Sequence, residues 1–188
     1  MLHQNPIEGP ATTDEALLKR SLAGEPELFS QLIERHRRKV YGLLWRLCGR
    51  RDDIDDLYQQ VWIRIWGARA SFRGESRFTT WMYSITLNQV REWRRQQRPQ
   101  VALDAIEESA APGPSALDRL LGQARRDGLQ ATLRTLAPAD QEILLLRYQT
   151  GLSPTEAAEA LGISPAQARV RAFRALARLR TLMKGHQL

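Results

Sequence analysis

The sequence predicts an all-α protein of two small helical domains, a helical bundle and then a helix-turn-helix, joined by a flexible linker. Three observations carry this. Apolar residues recur at helical spacing on both sides of the chain's middle, and no segment alternates with period two for long enough to suggest a strand. The segment Pro99–Leu117 has no basic residue, three acidic ones and Pro112-Gly113-Pro114 near its centre, so it has too little apolar surface to fold alone. Beyond it, Ser153-Pro154 and Ser164-Pro165 stand on either side of Gly162, which is how two helices separated by a tight turn are punctuated. The layout expected is a domain over residues 12–98, a linker over 99–117 and a second domain over 118–186.

Taken in order, Thr12 with Glu15 three residues later has the form of a capping box opening a short helix, which Gly24 ends. Pro26 suits the first turn of a second helix, where Leu28, Phe29, Leu32, Ile33, Val40, Leu43, Leu44 and Leu47 fall at helical spacing. A third helix is predicted from about Asp52 to Trp66, with Ile54, Leu57, Val61 and Ile65 on one stripe. A loop from Ser71 to Ser76 containing Gly74 leads into a fourth helix from Phe78 to Gln96, stopped by Pro99. After the linker come helices over Leu117–Leu136 and Pro138–Gln149. Ser153-Pro154-Thr155-Glu156 supplies a capping hydroxyl, a proline at the first helical position and a carboxylate three residues after the cap. Ser164-Pro165-Ala166-Gln167 repeats the device.

Composition narrows the function. The chain has 188 residues, 43% hydrophobic and 26% charged, with a net charge of +7 and a pI of about 10.3, so an acidic partner such as nucleic acid is indicated. Cys48 is the only cysteine, which excludes an intramolecular disulfide and a cysteine zinc site. It sits among Leu43, Leu44, Trp45 and Leu47 and reads as a buried small hydrophobe rather than a reactive thiol. Residues Met1 to Thr13 lack the basic start and apolar segment of a signal peptide. No uncharged apolar run is long enough to span a bilayer, so no membrane insertion and a cytoplasmic location are expected. Enzymatic chemistry is not expected either. His3, His36 and His186 have no obvious partners, no glycine-rich phosphate loop is present, and a helix splays Asp52, Asp53, Asp55 and Asp56 over most of its circumference. No catalytic residue, metal or cofactor is assigned.

The last helix has the character of a DNA reader. From Ser164 onward there is no acidic residue, while Arg169, Arg171, Arg174, Arg178, Arg180 and Lys184 are basic; a merely solvated face usually mixes both signs. At 100° per residue Ala168, Ala172, Ala175 and Leu179 form one stripe, with Ala166, Arg169, Val170, Phe173 and Arg174 roughly opposite. Periodicity alone allows either stripe to be buried, but burying the second would bury Arg169. With the alanines inward, Arg169 and Arg174 reach guanine edges and Val170 or Phe173 thymine methyls, with Arg171 and Arg178 at the border for phosphates. Gln167 is a candidate for capping instead.

Two stretches of the first half carry a further signal. Asp52 to Trp66 sets carboxylates and amides beside aromatics on one helix, which suits a protein interface with a basic partner helix; Trp62 and Trp66 suit a core equally well. Phe72 to Asn88, followed by Arg91, Glu92, Trp93, Arg94 and Arg95, interleaves aromatic and arginine side chains on a basic surface. That combination is what single-stranded DNA requires, each stacked base contributing about 1–3 kcal/mol. Trp81 within it reads as core.

These stretches, with Leu136 to Tyr148 and Gly151 to Ser164, resemble the extracytoplasmic-function (ECF) group of RNA polymerase sigma factors in the sigma-70 family, from about Asp14 to Arg180. The resemblance implies that the chain binds core RNA polymerase at its clamp and flap, recognises −35 and −10 promoter DNA, and melts the promoter. It assigns Asp56 and Gln59 to the clamp, with Asp55, Gln60 and Trp62 on the same helix. It assigns the −10 element to Phe72, Arg73, Ser76, Arg77, Phe78, Thr79, Asn88, Arg91 and Arg95, the loop forming a pocket for a flipped base. The −35 element falls to Ser164, Ala166, Arg169, Val170, Arg171, Phe173 and Arg174. Gln60 stands where the family usually has glutamate, Ser84 and Thr86 replace a more usual arginine and alanine, and Val170 replaces a common serine. The linker would thread the polymerase interior, and an anti-sigma protein is a further partner that the family admits. The alternative is a stand-alone helix-turn-helix regulator with an N-terminal dimerisation or sensing domain. It accounts for the second half equally well, but not for the arginine-aromatic stretch.

Overall fold

A computed structural model describes residues 13–49, 51–97 and 126–185. Eight α-helices account for them: α1 Asp14–Leu22, α2 Leu28–Cys48, α3 Arg51–Ala68, α4 Phe78–Gln97, α5 Arg126–Thr135, α6 Pro138–Leu144, α7 Pro154–Leu161 and α8 Pro165–Gly185. A short 3-10 turn, Arg69–Ser71, follows α3, and no strand occurs among the described residues. The expected linker, residues 117–125 of the expected fifth helix and the capping position Thr12 lie outside the described residues.

In the first half α2, α3 and α4 pack on one another, and α1 packs chiefly on α2, also touching α4 and the 3-10 turn. The apolar stripes read from the sequence are the ones buried: Leu32, Val40, Leu43 and Leu44 from α2, and Ile54, Leu57, Val61 and Ile65 from α3. α4 adds Phe78, Met82, Leu87 and Val90, and fully buried side chains of this size each contribute about 1.5–3 kcal/mol. Gly49 closes α2 in the left-handed conformation at φ 74°, which a glycine adopts without a Cβ penalty.

The start of α1 differs from the expected capping box. The cap is Thr13, whose Oγ1 accepts from Ala16 N at 3.2 Å, one residue later than the sequence suggested. Glu15 does not reach back to the cap. Its Oε1 accepts instead from Phe78 N, 63 residues away, at 2.8 Å. Asp14 ties α1 to α2, accepting from Arg35 Nη1 at 2.7 Å and meeting His36 Nε2 at 2.7 Å. The expectation that His36 lacks a partner is therefore corrected, since a histidine buried to 4% exposure needs one. Burial of Asp14 opposes its ionisation, but the hydrogen bonds and positive charge of His36 and Arg35 outweigh this and hold its carboxyl below the ordinary carboxylate range.

In the second half α8 packs against α5, α6 and α7. The helix expected over Pro138–Gln149 begins as α6, but its last five residues, Leu145–Gln149, form a π turn. The turn ends with Thr150 N donating to Leu145 O at 3.0 Å and Leu152 N donating to Leu146 O at 3.1 Å. Ile143, Leu144, Leu145 and Leu146 are all fully buried, more than one face of a regular helix can bury.

The two halves touch. α4 lies along α7 and α2 meets α5. Glu142, its side chain 4% exposed, accepts from Arg91 Nη2 at 2.7 Å and lies 3.8 Å from Arg94 Nη1. Arg94 Nη2 also donates to Leu47 O and Gln141 Oε1, each at 2.9 Å.

The depressed Asp14 carboxyl has a pH consequence. Because its folded value lies below the unfolded one, its contribution is present above the ordinary carboxylate range and is lost as pH falls through the folded value. Urea unfolding from pH 7 to pH 3 should show this loss, and Asp14→Asn should flatten that part of the profile.

Candidate nucleic-acid interface

The C-terminal surface is built by two reciprocal caps and a glycine. At α7, Ser153 Oγ accepts from Glu156 N at 3.2 Å, while Ser153 N donates to Glu156 Oε2 at 2.8 Å. The hydrogen bonds from Ser153 hold the Glu156 carboxyl below its ordinary range. Gly162, at φ 68°, ends α7 in the left-handed region, and two residues later α8 starts with a second reciprocal cap. Ser164 Oγ accepts from Gln167 N at 3.2 Å and Ser164 N donates to Gln167 Oε1 at 2.9 Å. Gln167 is thus spent on capping.

These caps aim α8. Ala168, Ala172, Ala175 and Leu179 are buried, so the alanine stripe is the core side. Phe173 is 76% exposed and Val170 48% exposed, with Ser164, Ala166, Arg169 and Arg174 exposed and Arg171 half-buried. Phe173 and Val170 thus stand outward beside Arg169 and Arg174, on the side of α8 away from its core stripe. Arg178, expected at the border, has its Nη1 donating to Asp140 Oδ2 at 2.6 Å while its side chain stays 62% exposed. Asp140 lies on the far wall of a shallow groove that Val170, Arg171 and Arg174 also line.

On α3, Asp55, Asp56, Gln59 and Gln60 are exposed, and Gln60 Oε1 accepts from Gln89 Nε2 at 2.6 Å. Trp62 is in the core, with its ring 5.9 Å from that of Phe29 in an edge contact. Of its two open readings the core one holds in this structure. The apolar side chain presented among the carboxylates and amides is Ile63, 67% exposed, which the sequence reading passed over. Trp66 is half-buried, with the Arg69 guanidinium 3.6 Å above its ring centre.

The Phe72–Arg95 stretch divides between core and surface. Phe72, Phe78 and Trp81 form one aromatic cluster with centroid separations of 5.3 to 6.3 Å. Phe78 is fully buried, so its ring supports the loop here rather than facing outward as a DNA contact would. Arg73 and Arg95 are exposed, and Ser76 and Thr79 half-buried. Asn88 is exposed, its Oδ1 accepting from Arg91 Nη1 at 3.3 Å. Arg91 and Arg77 face carboxylates of the other half: Arg91 meets Glu142, and Arg77 Nε lies 3.3 Å from Glu156 Oε1.

Residues 32–100 match the description "Sigma-70 region 2" and residues 126–179 "Sigma-70, region 4". RNA polymerase sigma factor NccH of Alcaligenes xylosoxydans xylosoxydans is 31% identical over 184 residues, covering 94% of this chain and 98% of NccH. The ECF RNA polymerase sigma-E factor of Escherichia coli strain K12 is 30% identical over 173 residues, 87% of this chain and 90% of its own. The chain belongs to the ECF sigma factors. As a sigma factor it acts with core RNA polymerase in transcription initiation, and the regulator alternative is not favoured. Sigma factor CarQ of Myxococcus xanthus is similar over 88% of this chain and 95% of its own at 32% identity. The structure of CnrH in complex with the cytosolic domain of CnrY superposes with a TM-score of 0.69 at 26% identity, covering 92% of this chain and 97% of CnrH. In this sigma factor, region 2 runs from within α2 through α4 and region 4 covers α5 to most of α8, while α1 precedes the matched residues. No helix among the described residues is long and apolar enough to cross a membrane.

The Glu142 contact between the halves is measurable. Glu142→Ala removes the carboxylate that Arg91 and Arg94 share and should cost about 1–3 kcal/mol in urea unfolding. The upper end of the range for breaking a buried pair is not expected, because the Arg91 side chain is 39% exposed and water can replace part of the contact.

Proposed function

We propose that this sigma factor divides promoter opening between its two halves along the residues set out above. The observation that carries the reading is the face of α8 on which Arg169, Val170, Phe173 and Arg174 stand outward, opposite a buried alanine stripe. That face enters the major groove at −35, where the arginines bond guanine edges and Phe173 or Val170 covers thymine methyls. Ser164, Ala166 and Arg171 flank it near the phosphates.

The exposed side of α3, with Asp55, Asp56, Gln59 and Gln60, docks on the polymerase clamp, and the second half sits near the flap. Trp62 serves this interface from behind as packing. The loop beginning at Phe72, with Arg73, Ser76, Arg77 and Thr79, and the outer face of α4, with Asn88, Arg91 and Arg95, take the unpaired −10 strand. Phe78 supports that loop from the core. In the closed packing seen here Arg77 and Arg91 are engaged by Glu156 and Glu142, so DNA phosphates must replace those carboxylates. Residues 12–98 and 118–186 then act as two domains on a 99–117 tether, which raises the effective concentration of one site once the other is bound.

The chain works in the cytoplasm by binding, without catalysis or cofactor. An anti-sigma protein is a natural further partner: CnrH is seen with the cytosolic domain of CnrY, and the sigma factor RpoE with the anti-sigma factor NepR from Bartonella quintana.

The test is transcription from fragments of the source genome by purified protein plus core polymerase. Core-dependent initiation is expected; tight duplex binding by the protein alone, with no initiation, would return the reading to a stand-alone regulator. Within that assay Arg174→Ala should lose about 1–3 kcal/mol of promoter recognition at one −35 position. An equal loss on every sequence would reassign Arg174 to a phosphate.

A further inference from the structure

We infer that Glu15 is a positioning residue for promoter melting, bracing the loop between α3 and α4 from outside the matched region 2 residues. The first amides of a helix have no partner within it, and Arg77, the residue before α4, carries a side chain that can only donate. Phe78 N at the head of α4 is met by the Glu15 carboxylate at 2.8 Å. An anion there also opposes the positive end of a 20-residue helix.

α1 is itself held at neighbouring positions, Thr13 capping it and Asp14 binding Arg35 and His36 of α2. The same short helix packs against the Arg69–Ser71 turn that precedes the loop. It therefore grips the loop of residues 72–77 at both ends, once through that turn and once through Phe78. The Phe78 ring, buried beside His36 and against Phe72 and Trp81, carries the constraint into the loop. Glu15 touches no DNA in this scheme. It fixes where the loop's own side chains stand, so that capture of an unpaired base proceeds from a formed pocket rather than one that must be ordered first.

This inference rests on the −10 assignment proposed above, and the experiment separates the two. Full-length Glu15→Ala, Glu15→Asp, Glu15→Gln and Arg73→Ala proteins are each assembled with core polymerase. Permanganate reactivity of −10 thymines is then followed on a duplex promoter and on the same promoter pre-opened by mismatches. Glu15→Ala should form holoenzyme with unchanged affinity, open the duplex at least about tenfold more slowly, and regain the wild-type rate on the pre-opened template. Glu15→Gln retains an oxygen for Phe78 N and should stay within about threefold of wild type. Glu15→Asp keeps the charge but falls one methylene short; it should fold and still open slowly, which decides the matter if the alanine variant does not fold. Wild-type opening by Glu15→Ala or Glu15→Asp beside a slow Arg73→Ala overturns the role of Glu15, as does an equal loss on both templates. Wild-type opening by Arg73→Ala as well would show that the −10 assignment itself is at fault.

Discussion

α4 has to satisfy neighbours on nearly every side, and this constraint organises the molecule. It packs against α1, α2 and α3 within its own half and along α7 of the other. Met82, Leu87 and Val90 are buried, while Arg91 and Arg94 reach out to Glu142. A helix committed in so many directions can display only a narrow strip to solvent, and Asn88 and Arg95 stand on it. In the proposed −10 role, the rest of the surface for single-stranded DNA has to come from the loop before α4, which ends where Glu15 meets the head of that helix.

Electrostatics sharpen the picture. With a net charge of +7 the chain has few carboxylates to spare, yet Asp140, Glu142 and Glu156 in the second half each meet an arginine. Two of those arginines, Arg77 and Arg91, belong to the other half. Such contacts compete directly with phosphate for the same guanidinium groups, and of the three carboxylates Asp140 and Glu142 are the buried ones, whose pairing weighs more in stability than that of Glu156.

The elements that the sequence disclosed are those governed by short-range rules. The Ser153 and Ser164 caps depend on residues three apart, and the alanine stripe of α8 on spacing alone, so both could be read without a structure. What stayed hidden was settled by distant competitors. Glu15 has a local cap within reach by the usual spacing but bonds an amide 63 residues on. Trp62 lies at the edge of the α3 stripe, where Phe29 and Tyr58 cover it, whereas Ile63 lies opposite that stripe and its exposure follows from spacing alone. The carboxylate that Arg178 meets, Asp140, lies 38 residues away in the chain. His36 found its partner by the same route. Periodicity also could not announce the π turn, because four successive apolar residues fit a regular helix or a widened one equally well.

That widened turn at Leu145–Gln149 carries one residue more than a regular helix would need for the same span. Since each residue of an α-helix advances its azimuth by about 100°, one residue too many in a regular helix would rotate everything that follows it. The wider turn absorbs the extra residue locally, so that α7 and α8 follow without that rotation. Leu145 and Leu146, buried at its start, are thereby kept in the core while the chain leaves α6 with its direction unchanged.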